Sequence, residues 1–147
     1  MALPNEFSQT SPPGDGSPSE KSSNWQHQDQ LDFDIEFYGQ VLKRNQDYLD
    51  VLRCQGQLLS RKGLHQQALE VDRRLVKLAP GDGVAHYNLG CSLALVGCSS
   101  DAIDALRQAL LRGYNDYEYL ETDRDLDSLR DTPAYLALLR EFGIGGS

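Results

Sequence analysis

Apolar residues recur at steps of three and four along the central part of the chain, the spacing that places side chains on one face of a helix. Between 83 and 116, Ala85, Leu89, Leu93 and Val96 define one such stripe and Gly97 stops it. Ser100 or Asp101 is then placed to cap a second helix carrying Ala102, Leu106, Ala109 and Leu110. Residues 49–82 follow the same plan. Leu52 and Leu59 precede Gly63, and Leu64, Ala68, Leu75 and Leu78 lead to Pro80, which cannot continue a helix.

The two stretches align when the chain is slid by 34 residues. Gly56 then pairs with Gly90, Leu59 with Leu93, Gly63 with Gly97, Ala68 with Ala102, Arg73 with Arg107 and Asp82 with Asp116. Six identities in 34 pairs exceed the roughly two that background composition gives. Small side chains at Gly56 and Gly90 on the first helix, and at Ala68 and Ala102 on the second, let two antiparallel helices approach closely.

The flanks depart from this plan. On the helix predicted over 31–47, Phe33, Phe37 and Val41 fall on one arc, while Leu31, Ile35, Tyr38 and Leu42 form a second arc nearly opposite. One face can pack on the helix that follows. The other needs a cover, supplied either by the segment around Trp25 folding back or by another chain. At the other end, Thr132 can cap a helix that starts with Pro133, with Tyr135, Leu136, Leu138, Leu139 and Phe142 as its buried face.

The segment Ala85-His86-Tyr87-Asn88-Leu89-Gly90, followed by Leu93, Gly97, Ala102, Leu106 and Ala109, resembles the 34-residue signature of the tetratricopeptide repeat family. The first unit keeps Gly56, Leu59, Gly63, Ala68 and Pro80, and departs at Gln55, Asp72 and Leu75, where Leu, a bulky apolar residue and Ala are usual. In the second unit His86 stands for the usual Trp and Tyr114 for Pro. The Asp-x-Asp-Leu, Leu-Arg-Asp and Pro landmarks of 123–133 are similar to the closing segment after the last repeat in bacterial members. The resemblance implies an all-α fold, a short right-handed α-α superhelix or solenoid of antiparallel helical hairpins. Its parts are a half repeat (31–47), two full repeats (49–82 and 83–116) and a capping segment (117–142). It also implies a concave peptide groove lined by Arg53, Gln57, Ser60 and Arg61 from the first unit and Tyr87, Asn88, Cys91 and Leu95 from the second. Asn88 is the sharpest of these, because an amide pairs with both N–H and C=O of an extended peptide. Arg53, Gln57 and Asn88 are similar to part of the carboxylate clamp of chaperone-binding members, but Lys and Asn are usual at the first two positions and the third repeat of that clamp is absent.

Composition narrows the picture further. With 147 residues and 39% hydrophobic content, the chain builds one modest core and no large multidomain enzyme. Residues 1–28 hold four of the six prolines and six serines, which reads as a disordered tail, as does 143–147. The net charge of −8 divides unevenly: −5 over 1–47, +2 over 48–113 and −5 over 114–147. Cations are nowhere gathered as a phosphate backbone requires, so no nucleic-acid partner is expected. An acidic or C-terminal peptide would favour the mildly basic middle. No apolar run approaches the roughly 20 residues of a membrane span, and Met1–Phe7 carries Pro4, Asn5 and Glu6 instead of a basic and then apolar signal. Three cysteines, Cys54, Cys91 and Cys98, fit reduced thiols better than a disulfide scaffold. A soluble, cytoplasmic protein is the expectation.

Catalytic and metal chemistry finds little support. Asp123, Asp125 and Asp127 alternate like the first ligands of a calcium loop, but Ser128 stands where that loop needs Gly and Ala134 where it needs Glu, so they read as helix caps in a solvated loop. The cysteines, with His65 and His86, match no zinc spacing, and the cysteines read as small apolar fillers. No nucleophile has an orienting partner and no Gly-rich phosphate loop is present. The expected function is therefore a non-catalytic, cofactor-free adaptor that binds a protein or peptide in its groove. The alternative is a structural subunit, a homodimer or larger, assembling through Phe33, Ile35, Phe37, Tyr38, Val41 and Leu42.

Overall fold

The computed structural model describes the backbone of residues 20–145 and the side chains of 28–145. The expected tails at 1–19 and 146–147 lie outside the described residues, as does the Trp25 side chain and with it the expected fold-back. Among the described residues, regular structure is entirely helical, and the protein is all-α. The elements are α1 (Glu20–Arg44), α2 (Leu49–Lys62), α3 (His65–Leu78), α4 (Gly83–Leu95), α5 (Ser99–Leu111), α6 (Tyr117–Thr122), a 3-10 turn (Arg124–Leu126) and α7 (Pro133–Glu141). None of these helices is long and apolar enough to cross a membrane.

The chain divides into two units, residues 1–33 and residues 34–147. In the first, the described residues from Glu20 onward form the start of α1. That helix begins inside the segment read as a tail and ends at Arg44 rather than 47. The reason is local: Pro18 is the last breaker before Gly39, so the polar run from Glu20 meets nothing that ends a helix.

In the second unit, α2 packs on α3, α3 on α4, and α4 on α5. The links within each hairpin are short because one motif recurs. Gly63 takes φ +89° and Gly97 φ +90°, the left-handed region a glycine enters without strain. At the first, Gly63 N–H donates to Ser60 O (2.9 Å) and Leu64 N–H to Leu59 O (2.9 Å); at the second, Gly97 N–H donates to Ala94 O (3.1 Å) and Cys98 N–H to Leu93 O (2.9 Å). This paired bonding satisfies the last carbonyls of a helix and reverses the chain. It also places Cys98 at the start of α5, with no side-chain cap, so neither Ser100 nor Asp101 caps that helix. Once Cys98 N–H is bonded back to α4, the next helix is already entered at Ser99.

Close helix approach comes from the paired glycines. A Cβ on Gly90 would stand 2.9 Å from Leu106 Cδ2, and a Cβ on Gly56 would stand 3.0 Å from Asp72 Oδ1. Leu106 and Asp72 are themselves 34 apart, so both hairpins cross at the same register with different side chains at the crossing. The larger buried cluster gathers Leu93, Ala102, Leu106, Leu120, Leu126 and Leu138. A smaller one holds Leu52, Leu75 and Ala85, with Leu42 and Leu49 packed against it. Each such leucine contributes roughly 1.5–3 kcal/mol through burial.

The closing segment packs the 3-10 turn on α4 and α7 on α5. Thr132 accepts from Tyr135 N–H at 3.3 Å and Pro133 opens α7, as the sequence indicates. Arg130 ties the segment together by donating to the carbonyls of Leu120, Glu121 and Asp123, with its guanidinium 5.9 Å from the centre of the Tyr135 ring.

Candidate functional site

The residues expected to line a groove come from two helices. On α2, Gln57, Ser60 and Arg61 stand at steps of three and four; on α4, Tyr87, Asn88 and Cys91 do the same. These six line one cavity of about 290 Å³. The other two do not line it. Arg53 is held by Asp82, with Nη2 donating to Oδ2 at 2.8 Å, and it also contacts Asp50 at 3.3 Å. Asp82 meanwhile caps α4 by accepting from Val84 N–H (3.0 Å) and Ala85 N–H (3.3 Å). Burial would raise the Asp82 pKa, but Arg53 and the two backbone donors outweigh it and hold the carboxyl below its usual range. Leu95, the last residue of α4, is half-buried and outside the cavity lining.

The rest of the lining is acidic and aromatic, and the sequence pattern did not assemble it. Asp72 reaches the cavity from α3 and Ser92 from α4, while Tyr119, Asp123 and Asp125 come from the closing segment. Asp72 is 5% exposed. Ser92 Oγ donates to its Oδ2 at 2.6 Å, and burial, partly offset by this bond, pushes its pKa up to about 6. Asp72 occupies the position at which the second hairpin has Leu106, and its departure from an apolar residue was the available signal.

Asp123 is 6% exposed, not solvated. It accepts from Tyr87 Oη at 2.6 Å and from the Cys91 thiol at 3.6 Å through Oδ2, and from Asp125 N–H at 3.0 Å through Oδ1. Its capping role at the 3-10 turn is the one the sequence suggested. Tyr87 stacks on Tyr114 with centroids 4.3 Å apart and planes 6° from parallel, and its ring lies 6.2 Å from that of Tyr119. Burial raises the Tyr87 hydroxyl pKa far above its usual value, with Cys91 and Asp123 adding to it, so Tyr87 remains a donor. Asp125 is half-buried, and burial followed by the Asp123 charge raises its pKa.

Cys91 Sγ, Asp123 and Asp125 offer ligand atoms within 4.8 Å of one another. A metal would need the thiolate. Burial, then the charges of Asp123 and Asp125, push the Cys91 pKa well up, and the S–H is bonded to Asp123. As the trio stands, Cys91 S–H and Asp125 N–H both donate to the Asp123 carboxylate. Cys91 fits the buried-filler reading, whereas Cys54 and Cys98 are exposed and do not.

The mild basic excess of the middle segment lies mostly elsewhere. A second cavity, of about 540 Å³, is lined by Arg73, Arg74 and Lys77 of α3. On α1, Phe33 is 63% exposed and Phe37 52% exposed, while Ile35, Tyr38, Val41 and Leu42 are half-buried. Gln55 Nε2 donates to Ile35 O at 3.1 Å, fixing that face of α1 against α2.

No family model matches the chain. A search of curated proteins finds similarity to a chloroplastic protein of Arabidopsis thaliana, at 30% identity over 91 residues. The matched region is 60% of this chain and 27% of that protein, so the chain spans little more than a quarter of the relative's length.

Proposed function

We propose that this chain is a short tetratricopeptide-type array, a superhelical stack of helical hairpins, whose work is non-catalytic capture of an extended protein segment. The observation that carries the reading is the convergence of Gln57, Ser60, Arg61, Tyr87, Asn88 and Cys91 on one open cavity between two helices. The recurrence of the Gly63 turn at Gly97, and of the Gly56 crossing at Gly90, supports the repeat. Asn88 and Gln57 supply amides for a peptide backbone, which presents both donors and acceptors. A catalytic role has less support, because Tyr87 and Cys91 both donate to Asp123, Ser92 donates to Asp72, and burial holds the Cys91 thiol protonated. Location in the cytoplasm belongs to the same reading, supported by the exposed thiols of Cys54 and Cys98, which persist in reducing compartments.

The test is selection of peptides from a random library on the full chain, followed by titration of the selected peptides into wild type and a Gln57→Ala, Asn88→Ala double variant. Loss of affinity of about tenfold or more is expected from two truncated hydrogen-bonding side chains. Equal affinity for both proteins refutes the groove.

A second reading, self-association through residues 31–42, is favoured by the 52% exposure of Phe37, whose ring stands edge-on to Tyr38 at 5.4 Å. Light scattering across protein concentration tests it. A mass fixed at 16.4 kDa at every concentration eliminates this reading.

A further inference from the structure

The charge of the 290 Å³ cavity opposes the expectation of an acidic ligand. Three carboxylates line it, Asp72, Asp123 and Asp125, against the single guanidinium of Arg61. Arg53, the other cation expected there, is paired with Asp82. Resting on the peptide-groove reading above, we propose that the cavity takes the ammonium or guanidinium of a lysine or arginine side chain from the bound segment, with Asp125 and Asp72 as its counter-charges.

Three observations converge on a basic side chain. First, the carboxylates are held in poor solvation, and the raised pKa values of Asp72 and Asp125 express the cost of that negative charge. A cation entering the cavity lowers this cost through attraction, whereas an anion raises it. Second, Tyr119, half exposed, also lines the cavity, and an aromatic face attracts cations and packs along the apolar stem of a lysine or arginine. Third, the Asp123 oxygens are already bonded to Tyr87, Cys91 and Asp125 N–H. The half-buried Asp125 carboxylate and the Asp72 carboxylate, which receives Ser92 on Oδ2, are the acceptors left facing an occupant. A side chain on an extended backbone suits this arrangement better than a free small cation, because Gln57 and Asn88 line the same cavity and can bond main-chain amides.

The experiment uses the full chain on an array of nine-residue peptides, random except for a central Lys, Arg, Gln or Glu. Wild type should be retained about tenfold more on central Lys and Arg than on Gln, the worth of one charge-assisted hydrogen bond, and least on Glu. Asp125→Asn should lose that preference, and Asp101→Asn, an exposed acid on α5 outside the cavity, should keep it. Retention that is equal for Lys, Gln and Glu overturns the proposal while leaving the groove intact; so does a basic preference that survives in folded Asp125→Asn. Retention of no peptide at all overturns both. The wild-type comparison decides the matter even if a variant fails to fold.

Discussion

Ser92 donates its hydroxyl to Asp72 Oδ2 across 2.6 Å, joining α4 to α3 through a carboxylate that is 5% exposed. The Asp72 pKa is about 6 in the folded chain against 3.8 for the free group. Between those values the folded state binds more protons than the unfolded one, so stability falls as pH rises from about 4 to about 6 and is level above. The full span corresponds to about 3 kcal/mol. Asp72→Asn, which mimics the protonated form, should therefore be more stable than wild type at pH 7.5, by up to that amount. The advantage should shrink toward zero near pH 4. Urea midpoints at pH 4, 5.5 and 7.5 measure it, and a constant difference across the series would contradict the assignment.

Tyr87→Phe removes the hydroxyl that donates to buried Asp123 while leaving the ring stacked on Tyr114. The carboxylate keeps Cys91 and Asp125 N–H. A charge-assisted bond lost in a buried place costs about 2 kcal/mol. The urea midpoint should drop accordingly, with the near-ultraviolet dichroism of the stacked pair retained.

Gly90→Ala sets two effects against each other. Alanine gains about 1 kcal/mol in helix propensity, yet its Cβ would stand 2.9 Å and 3.0 Å from two atoms of Leu106, which is 1% exposed and has nowhere to go. Overpacking of this kind costs about 1–3 kcal/mol. The net should be a loss of about 1 kcal/mol, read as a lower melting temperature. A rise would show that α4 and α5 part easily.

Arg53→Ala should leave peptide affinity unchanged, because this side chain is bonded to Asp82 and lies outside the cavity lining. Its partly exposed ion pair contributes under about 1 kcal/mol to stability. Titration of any peptide that binds wild type checks the first statement, and an affinity loss matching that of Asn88→Ala would place Arg53 back in the groove.

Arg130→Ala should free the end of α6, since one guanidinium serves the carbonyls of Leu120, Glu121 and Asp123. The expected loss is about 2–3 kcal/mol. Arg130→Lys should restore only part of it, because an ammonium lacks the planar fork that spans several carbonyls. Hydrogen exchange of the Leu120 and Asp123 amides, which bond to Asp116 and Tyr119, reports the fraying directly.

The parts legible in the sequence are those fixed by short-range geometry. Gly63 and Gly97 end helices because each takes a positive φ, and Thr132 with Pro133 opens α7, all within a few residues. The residues expected in a groove came from the family resemblance; helical spacing accounts only for Gln57 sharing a face with Ser60, and Tyr87 with Cys91. What escaped depends on distant partners. Arg53 looks available until Asp82, 29 positions on, comes to meet it. Asp123 reads as a solvated cap until Tyr87, 36 positions back, buries it. Asp72 was visible as a departure from an apolar site, but its hydrogen bond to Ser92 comes from the packing of α3 on α4.

The two hairpins share a register but not an interior. Where α5 sets Leu106 against Gly90, α3 sets Asp72 against Gly56. Duplicating the second hairpin in place of the first would keep the glycine turn between its helices and their close approach, yet it would put a hydrocarbon wedge where the cavity has an acid, and Ser92 would lose its acceptor. A copy of the second hairpin therefore carries the close approach of the first without the acid that lines the cavity.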